Sequence, residues 1–345
     1  MPQTLTARAL NRALLARQLL LERSRMPLAA TLDAMAGLQA QYAPSMYIGL
    51  WSRMEGFERH HLTAALEDRS VVQGTLLRST IHLVSAGDYW PFAIGTRAAR
   101  QTQWLRVTQF KLNEDDMAAK AAVVRGRLGD GPLKRKELDA LVGKPESSAM
   151  NAWADMLRIP PSGTWERRRA DLYASAEEWL GPPPPGLTVE SSQELLVRRY
   201  LAGFGPSTRV EIASWAGLGP SDVATVLGRL NLRRFQADDG QELVDVEEAP
   251  LPDPDTPAPV RFLPTWDATL LVHARRTGIL SEEYRPLVFN SKTPHSMNTF
   301  LVDGTVAGTW RYERKAVTVE PFGRLPRAAR REVEEEAERL AAMHA

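Results

Sequence analysis

Three stretches of this chain each carry short helical patterns followed by a run in which apolar and polar residues alternate. The helical patterns of the first stretch cover 4–23, 32–40, 45–54 and 61–66. The alternating run 71–85 follows them and predicts a two-stranded ribbon, with Gly74 near its turn. Helices that precede ribbons, without strand–helix–strand alternation, exclude a doubly wound parallel sheet.

The same order of elements returns twice along the chain. The second stretch has helical patterns at 88–112, 115–128 and 147–157 and a ribbon at 163–173. The third has three helical patterns separated by Gly-Pro turns, followed by a ribbon at 232–246. The run GPPPPG at 181–186 cannot continue a helix or a central strand, so it marks a linker. We therefore predict three units, at 1–86, 87–186 and 187–345.

Helices followed by a two-stranded ribbon are typical of the winged helix, a variant of the DNA-binding helix-turn-helix. The predicted fold class is thus mainly α with short β-ribbons, arranged as tandem winged-helix units, with no parallel sheet. Strands are also predicted within 260–274 and 295–314, where Asp303-Gly304 between two apolar runs indicates a hairpin turn. A charged helix is predicted over 326–343.

The composition excludes several kinds of chemistry. Cysteine is absent, which excludes disulfides, thiolate nucleophiles and cysteine-bearing zinc sites. The six histidines are scattered and no nucleotide-binding glycine pattern occurs, so neither a metal nor a cofactor is expected. Charged residues interrupt the first leucines, which predicts no signal peptide and no membrane span. We expect a monomeric cytoplasmic protein that acts at the nucleoid.

The charge balance does not by itself indicate a nucleic-acid partner. Lys and Arg number 43 against 42 Asp and Glu, for a net charge of +1. A DNA interface would have to use local clusters, and solvated surface is the ordinary alternative for each cluster. The clusters are Arg167 to Arg169, Arg233 with Arg234, His273 with Arg275 and Arg276, and Arg327 with Arg330 and Arg331.

Gln39 and Gln41 form a dense pair of uncharged polar residues in the first unit. Residues two apart on a regular helix point about 200° apart, so both amides meet one ligand only where the backbone is extended or irregular. Gly37 and Pro44 permit such irregularity. From the spacing alone, two ordinary surface or capping glutamines are the favoured interpretation.

Longer segments carry a resemblance to a known family. LQAQYAPSMYIGLWSR, TLLRSTIHLVSAGDYW, FLPTWDATLLVHARR and FLVDGTVAGTWR occur in this order and together resemble the winged-helix DNA glycosylases of the AlkZ type. Gln39-Ala40-Gln41 matches the Gln-apolar-Gln catalytic motif of that family, whereas a related branch has aspartate at the second position. The resemblance therefore implies catalytic roles for Gln39 and Gln41.

The resemblance also implies a reaction, which is hydrolysis of the N-glycosidic bond of an alkylated purine in double-stranded DNA. N7-alkylguanine is the expected substrate, with N3-alkyladenine and interstrand crosslinks as alternatives. Glycoside cleavage usually uses two carboxyl groups. Alkylation at N7 or N3 makes the purine cationic, so it departs as a neutral molecule without a general acid. Two amide carbonyls could then hold a water and stabilise the sugar cation through their dipoles. No lysine nucleophile is evident, so strand cleavage is not expected.

Other residues are candidates for DNA contact or pocket support. Arg78 and His82 are predicted on one strand face of the first ribbon, where they suit phosphate contacts or are merely solvated. His273, Arg275 and Arg276 follow Asp267 and also suit phosphates. Asp267 itself is at least as well explained by a buried pair with an arginine. The residues that could line a lesion pocket, or equally belong to the core, are Tyr42, Met46 and Trp51.

A different class of function fits the same predicted fold. Helix-turn-helix proteins are often transcriptional regulators without catalytic activity, and a fold does not fix a function. A regulator would bind one sequence tightly, whereas a glycosylase would act at a lesion in any sequence. The length of the chain and the Gln-Ala-Gln motif favour the glycosylase.

Overall fold

A computed structural model describes residues 3–109, 111–271, 278–289 and 296–345. Its helices are α1 (Ala7–Arg17), α2 (Leu28–Ala34), α3 (Ala43–Arg53), α4 (Arg59–Glu67), α5 (Ala86–Val107), α6 (Glu114–Gly129), α7 (Arg135–Val142), α8 (Lys144–Ala149), α9 (Ala176–Leu180), α10 (Val189–Phe204), α11 (Arg209–Ala216), α12 (Pro220–Leu227), α13 (Arg285–Val288) and α14 (Arg327–His344). About 48% of the structure is helical, as the mainly α class predicts.

The strands are short and almost all antiparallel. They are β1 (Gln3–Leu5), β2 (Leu38–Gln39), β3 (Val71–Thr75), β4 (Ile81–Ser85), β5 (Leu133–Lys134), β6 (Met156–Arg158), β7 (Leu172–Ser175), β8 (Arg233–Ala237), β9 (Glu242–Asp245), β10 (Arg261–Leu263), β11 (Thr299–Val302), β12 (Thr305–Glu313) and β13 (Ala316–Pro321). One pairing departs from the prediction of no parallel sheet, because β1 pairs with β8 in parallel over three residues.

One order of elements recurs in the structure. In the first stretch, α2, β2, α3, α4, β3 and β4 follow one another, and β4 lies between β2 and β3. In the second, α6, β5, α7, α8, β6 and β7 do the same, with β7 between β5 and β6. In the third, β9 pairs with β8 on one side and bridges to Ser207 on the other, and Ser207 lies between α10 and α11.

The first and second stretches contribute strands to one common sheet. β3 pairs with β6, so strands from both sides of residue 86 form one sheet in the order β2-β4-β3-β6-β7-β5. The four strands β10 to β13 form a separate antiparallel sheet. Asp303 and Gly304 both have positive φ, +46° and +79°, at the predicted turn between β11 and β12. The unit boundaries 1–86, 87–186 and 187–345 stay a prediction. The β3–β6 pair connects the first predicted unit to the second, and the β1–β8 pair connects the first to the third.

Two helix boundaries near the glutamine pair differ from the sequence prediction. The pattern over 32–40 predicts a helix, but α2 ends at Ala34 because Ala36 and Gly37 both take positive φ. The helical patterns 32–40 and 45–54 also predict that Pro44 lies in a break between two helices. Instead, Pro44 lies in the first turn of α3, where a missing N–H costs nothing.

Two predictions about the ribbons also change. Gly74 lies inside β3 and not at the turn, and a Cβ there would come within 2.8 Å of the Tyr89 ring. The helix predicted over 147–157 is replaced by α8, a short 3₁₀ turn and β6, so its last residues are strand. The first error arises because a glycine also indicates a turn, and the second because apolar spacing suits more than one secondary structure.

The largest apolar cluster joins α1, α5, α10, α11 and α12 with residues of the ribbons. Among the described residues, two ion pairs have both side chains fully buried, Arg17 with Asp245 and Arg53 with Asp267. Each pair joins residues more than two hundred positions apart in sequence. Within the described ranges, no helix is long and apolar enough to cross a membrane.

Candidate active site at the first ribbon

A single glycine directs the chain from α2 into the strand that carries Gln39. Gly37 has φ +77°, and a Cβ there would lie 2.9 Å from the carbonyl oxygen of Leu83. Any other residue would push β2 away from β4. Beyond the glycine, Gln39 pairs with His82, and the Ala40 N–H donates to the Ile81 carbonyl at 2.7 Å. The backbone is therefore extended here, which is the condition stated above for both amides to meet one ligand.

The two glutamine side chains contact the same hairpin, which joins β3 to β4. Gln39 is 9% exposed, and its Oε1 accepts a hydrogen bond from Arg78 Nη2 at 3.2 Å. Gln41 is exposed, and its Oε1 accepts from the Ile81 backbone N–H at 3.1 Å. A carbonyl oxygen has two lone pairs, so each amide retains an acceptor site after these bonds. The pair presents two oriented amide dipoles, one inside the protein and one at its surface.

The tip of this hairpin has an unusual backbone. Arg78 has φ +52° and ψ +27°, and Ser79 has φ +57°, while the Leu76 N–H donates to the Thr80 carbonyl at 3.0 Å. Two successive residues with positive φ are typical of a type I′ turn, which matches the twist of a hairpin. Neither residue is glycine, asparagine or aspartate, so the turn carries a conformational cost. Arg78 thus lies in the turn, and the prediction that it occupies a strand face with His82 is wrong.

The Arg78 side chain points inward and reaches another part of the chain. Its guanidinium donates to the carbonyl oxygen of Trp215, near the end of α11, as well as to Gln39. Gly217 follows that helix with φ +71°, and a Cβ there would lie 3.2 Å from the Arg78 backbone nitrogen. Burial lowers the pKa of Arg78 to about 10, so the side chain stays cationic at neutral pH. The end of α11 is therefore packed on the hairpin tip.

His82 faces the interior beside this cluster. It is 3% exposed, lies opposite Gln39 in the sheet, and has Nδ1 3.1 Å from the Thr80 carbonyl oxygen. Burial, and next the nearby charge of Arg78, lower its pKa to about 3, which makes the ring neutral at physiological pH. A phosphate contact needs an accessible donor, so the structure contradicts that role for His82 and makes it a structural residue.

The buried neutral His82 should make the protein acid-sensitive. The unfolded chain binds a proton at this residue below about pH 6.5, whereas the folded protein resists it until about pH 3. The unfolded state therefore gains protons first, and the free energy of unfolding should fall by about 1.4 kcal/mol per pH unit below pH 6.5. Urea titrations of wild type and His82→Gln between pH 7 and 5 measure this, and the variant should have the shallower slope. The exposed His60→Gln is the matched control, and an equal slope in all three proteins would contradict the prediction.

An exposed aromatic residue and an arginine lie next to Gln41. Tyr42 is 43% exposed, and its hydroxyl accepts a hydrogen bond from Arg168 Nη1 at 3.0 Å. The Arg168 guanidinium is also 5.9 Å from the centre of the Trp165 ring. Such a pair could stack on a base and bind a phosphate. The sequence shows the cluster of Arg167 to Arg169 but carries no signal that would place it beside Gln41.

Most of the other predicted pocket residues are parts of the core. Met46 is fully buried, and Trp51, further along α3, is 8% exposed beneath the Arg23 guanidinium. Asp267 is fully buried, and its two oxygens accept from Arg53 at 2.8 and 2.9 Å, which confirms the predicted pairing with an arginine. The predicted phosphate-binding residues His273, Arg275 and Arg276 lie outside the described residues. No group of side chains suited to hold a metal occurs in the part of the chain that the structure describes.

Comparison with known proteins gives consistent matches over nearly the whole chain. A family model described as DNA glycosylase AlkZ-like matches residues 32–343, a range that includes both glutamines. A Streptomyces sahachiroi protein named interstrand DNA cross-link repair glycosylase is 23% identical over 360 residues, covering 94% of this chain and 93% of that protein. The solved structure of Streptomyces sahachiroi DNA glycosylase AlkZ matches with a TM-score of 0.83, at 18% identity, covering 99% of this chain and 98% of that chain. At that identity, the structural likeness establishes the fold.

Proposed function

Since this chain belongs to the AlkZ-like DNA glycosylase family, we propose that it hydrolyses the N-glycosidic bond of alkylated purines in double-stranded DNA, with Gln39 and Gln41 at the reaction centre. Family membership decides between the enzyme and the non-catalytic regulator in favour of the enzyme. The observation that carries the proposed site is the placement of both amide oxygens against one hairpin, with Gln41 at the surface. A pair of surface or capping glutamines would not require a buried member held by an arginine.

Amide groups suit this reaction because the alkylated base is already cationic and leaves without being protonated. An N7-alkylguanine carries a positive charge, so the bond to C1′ breaks with its electron pair going to a base that leaves neutral. Water then adds to C1′ of the sugar cation and loses its proton to solvent. Carbonyl dipoles fixed before the reaction stabilise the developing cation and hold the water without reorganising. Each oxygen already accepts one bond from the protein, so its second lone pair is the one available for this task.

The same chemistry limits the substrates. An amide cannot protonate a neutral leaving group, so unmodified purines should remain intact. Cationic N7-alkylguanine is the first expected substrate, followed by N3-alkyladenine. The name of the Streptomyces sahachiroi relative adds interstrand crosslinks attached through such positions as a further candidate. The first lysine of the chain is Lys111, so the region that carries both glutamines offers no amine for β-elimination, and water is the expected nucleophile.

We further propose that the three stretches are winged-helix units that contact duplex DNA as a monomer. The order helix, strand, helix, helix, strand, strand, with the last strand central, recurs in the first two stretches and supports this assignment. In the third stretch an isolated bridge at Ser207 takes the place of the first strand. Gln39 then belongs to the first strand of the first unit. Tyr42 and Arg168 extend the proposed DNA surface past Gln41. Because its proposed substrate is DNA, we also propose that the protein acts at the nucleoid within the cytoplasm.

Release of free base tests the proposed reaction. Purified protein is incubated with a duplex methylated at guanine N7, and the supernatant is assayed for 7-methylguanine by chromatography. We expect release of the free base, an abasic site left in an unbroken strand, and no release of unmodified guanine. Gln39→Ala is the matched control for a contaminating glycosylase. Tight binding of a single sequence without release of any base would instead support the regulator.

The proposed DNA surface makes a prediction about salt. Replacing Arg168 by glutamine should weaken binding to undamaged duplex several-fold and reduce the slope of log K against log salt by about 0.9, the value for one lost phosphate contact. Fluorescence anisotropy at several salt concentrations measures both quantities. The exposed Arg311→Gln in β12, which pairs with two glutamates of the same sheet, is the control. Equal affinity and slope for wild type and Arg168→Gln would mean that this arginine is solvated surface.

A further inference from the structure

Arg78 is a partly buried arginine, and it differs from two fully buried arginines of the protein. Arg17 and Arg53 each form a fully buried pair with an aspartate. Arg78 forms no ion pair with a carboxylate among the described residues, and its two hydrogen-bond partners are the Trp215 carbonyl and Gln39 Oε1. A partly buried cation without a counterion costs free energy, and a positive φ adds to that cost. Arg100, Arg158 and Arg261 also lack a carboxylate partner among the described residues. What distinguishes Arg78 is its bond to Gln39 together with its positive φ, a type of strain that clusters at functional sites.

The partner of Arg78 determines which end of the Gln39 amide faces it. A guanidinium has five N–H donors and no acceptor, so it can bond only to the amide oxygen. The terminal torsion of glutamine is otherwise broad and nearly two-fold, which lets the oxygen and the NH₂ group exchange places. The bond from Nη2 to Oε1 at 3.2 Å removes that freedom. It therefore fixes the direction of the one lone pair that Gln39 retains.

We propose that Arg78 is a positioning residue, which fixes the Gln39 carbonyl for the reaction and anchors it to the end of α11. This inference rests on the proposed function, because it assigns the arginine a role through Gln39. The anchor has two parts, the hydrogen bond to Trp215 and the close packing of Gly217 on the hairpin tip. Trp215 is 137 positions away from Arg78 in sequence. Through Arg78, the predicted third unit thereby supports Gln39 of the first. Preorganised dipoles of this kind are what a transition state with developing charge requires.

The alternative is the role that the sequence suggested, direct contact with a DNA phosphate. The two roles predict different measurements. A phosphate ligand contributes to DNA affinity and to its salt dependence. A positioning residue changes the rate of bond cleavage once DNA is bound, and it does so only while Gln39 is present.

A double-mutant cycle separates these roles. Arg78→Met, Gln39→Ala and the double variant are compared with wild type for single-turnover release of 7-methylguanine at saturating enzyme. We expect Arg78→Met alone to lower the rate about tenfold, as the loss of one orienting hydrogen bond implies, and to have little effect when Gln39 is already alanine. DNA affinity and its salt slope should stay at the wild-type value.

Two further variants control for stability. Arg261 is another buried arginine, and it donates to main-chain carbonyls, of Val260 and Leu21, away from the glutamines. Arg261→Met should lower stability without a rate effect that depends on Gln39. Arg78→Lys keeps a donor and the charge, so it should recover part of the lost rate, and it takes the place of Arg78→Met in the cycle if the methionine variant does not fold. Methionine and lysine are both unbranched at Cβ, so the φ of +52° at position 78 costs each variant about the same.

The outcomes that would overturn the inference are distinct. Equal rate losses from the Arg78 substitution with and without Gln39 would make Arg78 a purely structural residue. Weaker DNA binding with a shallower salt slope would make it a phosphate ligand. A wild-type rate for the Arg78 variants, with a slow Gln39→Ala, would refute the positioning role and leave the proposed function intact. Full activity of Gln39→Ala would refute the proposed role of Gln39, and the inference would fall with it.

Discussion

Replacing either Gln39 or Gln41 by alanine should lower the excision of 7-methylguanine by about 10²-fold while leaving DNA affinity nearly unchanged. A loss of this size corresponds to about 2.7 kcal/mol of transition-state stabilisation, the scale typical of removing one preorganised polar group. Single-turnover release of the base measures the effect, and anisotropy with undamaged duplex measures affinity. Gln103→Ala is a control glutamine, since it contacts Ser79 at the exposed side of the same hairpin tip.

Gln41→Glu discriminates between two roles of the amide. The Gln41 oxygen accepts from the Ile81 N–H, and a carboxylate can accept the same bond, so the local structure should survive. A carboxylate also stabilises a sugar cation and can take a proton from water, so substantial activity should remain. A folded Gln41→Glu protein that excised no base would show instead that the amide NH₂ donates an essential hydrogen bond.

Full activity in both alanine variants would make the glutamines ordinary surface residues. The catalytic groups would then have to be sought elsewhere, and Asp267 would be the obvious carboxylate to consider from the sequence. The structure argues against it. Both Asp267 oxygens are occupied inside the protein, since both accept from Arg53 and one also accepts from the backbone and hydroxyl of Thr269.

Local signals predicted much of the fold. Alternation over 71–85 predicted the first ribbon because residues on a strand face recur every two positions. Asp303-Gly304 predicted a hairpin because both residues tolerate positive φ. The helix assigned to 32–40 is wrong in its second half because Leu38 and its apolar neighbours suit either structure. The deciding contact, between Gly37 and Leu83, joins residues that are far apart in sequence.

The candidate site was predicted only in part for the same reason. A short motif and its flanking segments identified Gln39 and Gln41. An extended or irregular backbone could be stated as the condition under which both amides reach one ligand. The surroundings of the motif could not be inferred. Trp215 lies beside Arg78 only because the third stretch packs on the hairpin tip, and Arg168 lies beside Tyr42 only because a long loop returns to α3. These two contacts join residues 126 and 137 positions apart, and contacts at such separations produce no periodic pattern in a single sequence.

Removal of the Asp267 carboxylate should destabilise the protein more than any of the substitutions at the glutamines or at Arg78. Arg53 and Asp267 are both fully buried, and two hydrogen bonds of 2.8 and 2.9 Å join them. In Asp267→Ala the guanidinium would remain inside the protein without a counterion, which costs about 3–5 kcal/mol. Urea unfolding with a constant m-value measures the loss. Glu55→Ala, which removes the partner of the exposed Arg25, is the matched control and should change the midpoint little.

The companion variants decide whether Asp267 is structural or catalytic. Replacing both partners, as Arg53→Met with Asp267→Leu, should recover much of the stability lost in Asp267→Ala, because no charge is then left buried. Asp267→Asn keeps the shape of the side chain and a carbonyl acceptor for Arg53, so it should be less destabilised than the alanine variant. At a temperature where Asp267→Asn is folded, it should excise 7-methylguanine at close to the wild-type rate. A stable Asp267→Asn protein with a rate reduced by about 10²-fold, the loss expected for a preorganised catalytic group, would contradict the structural role and place this carboxylate in the reaction.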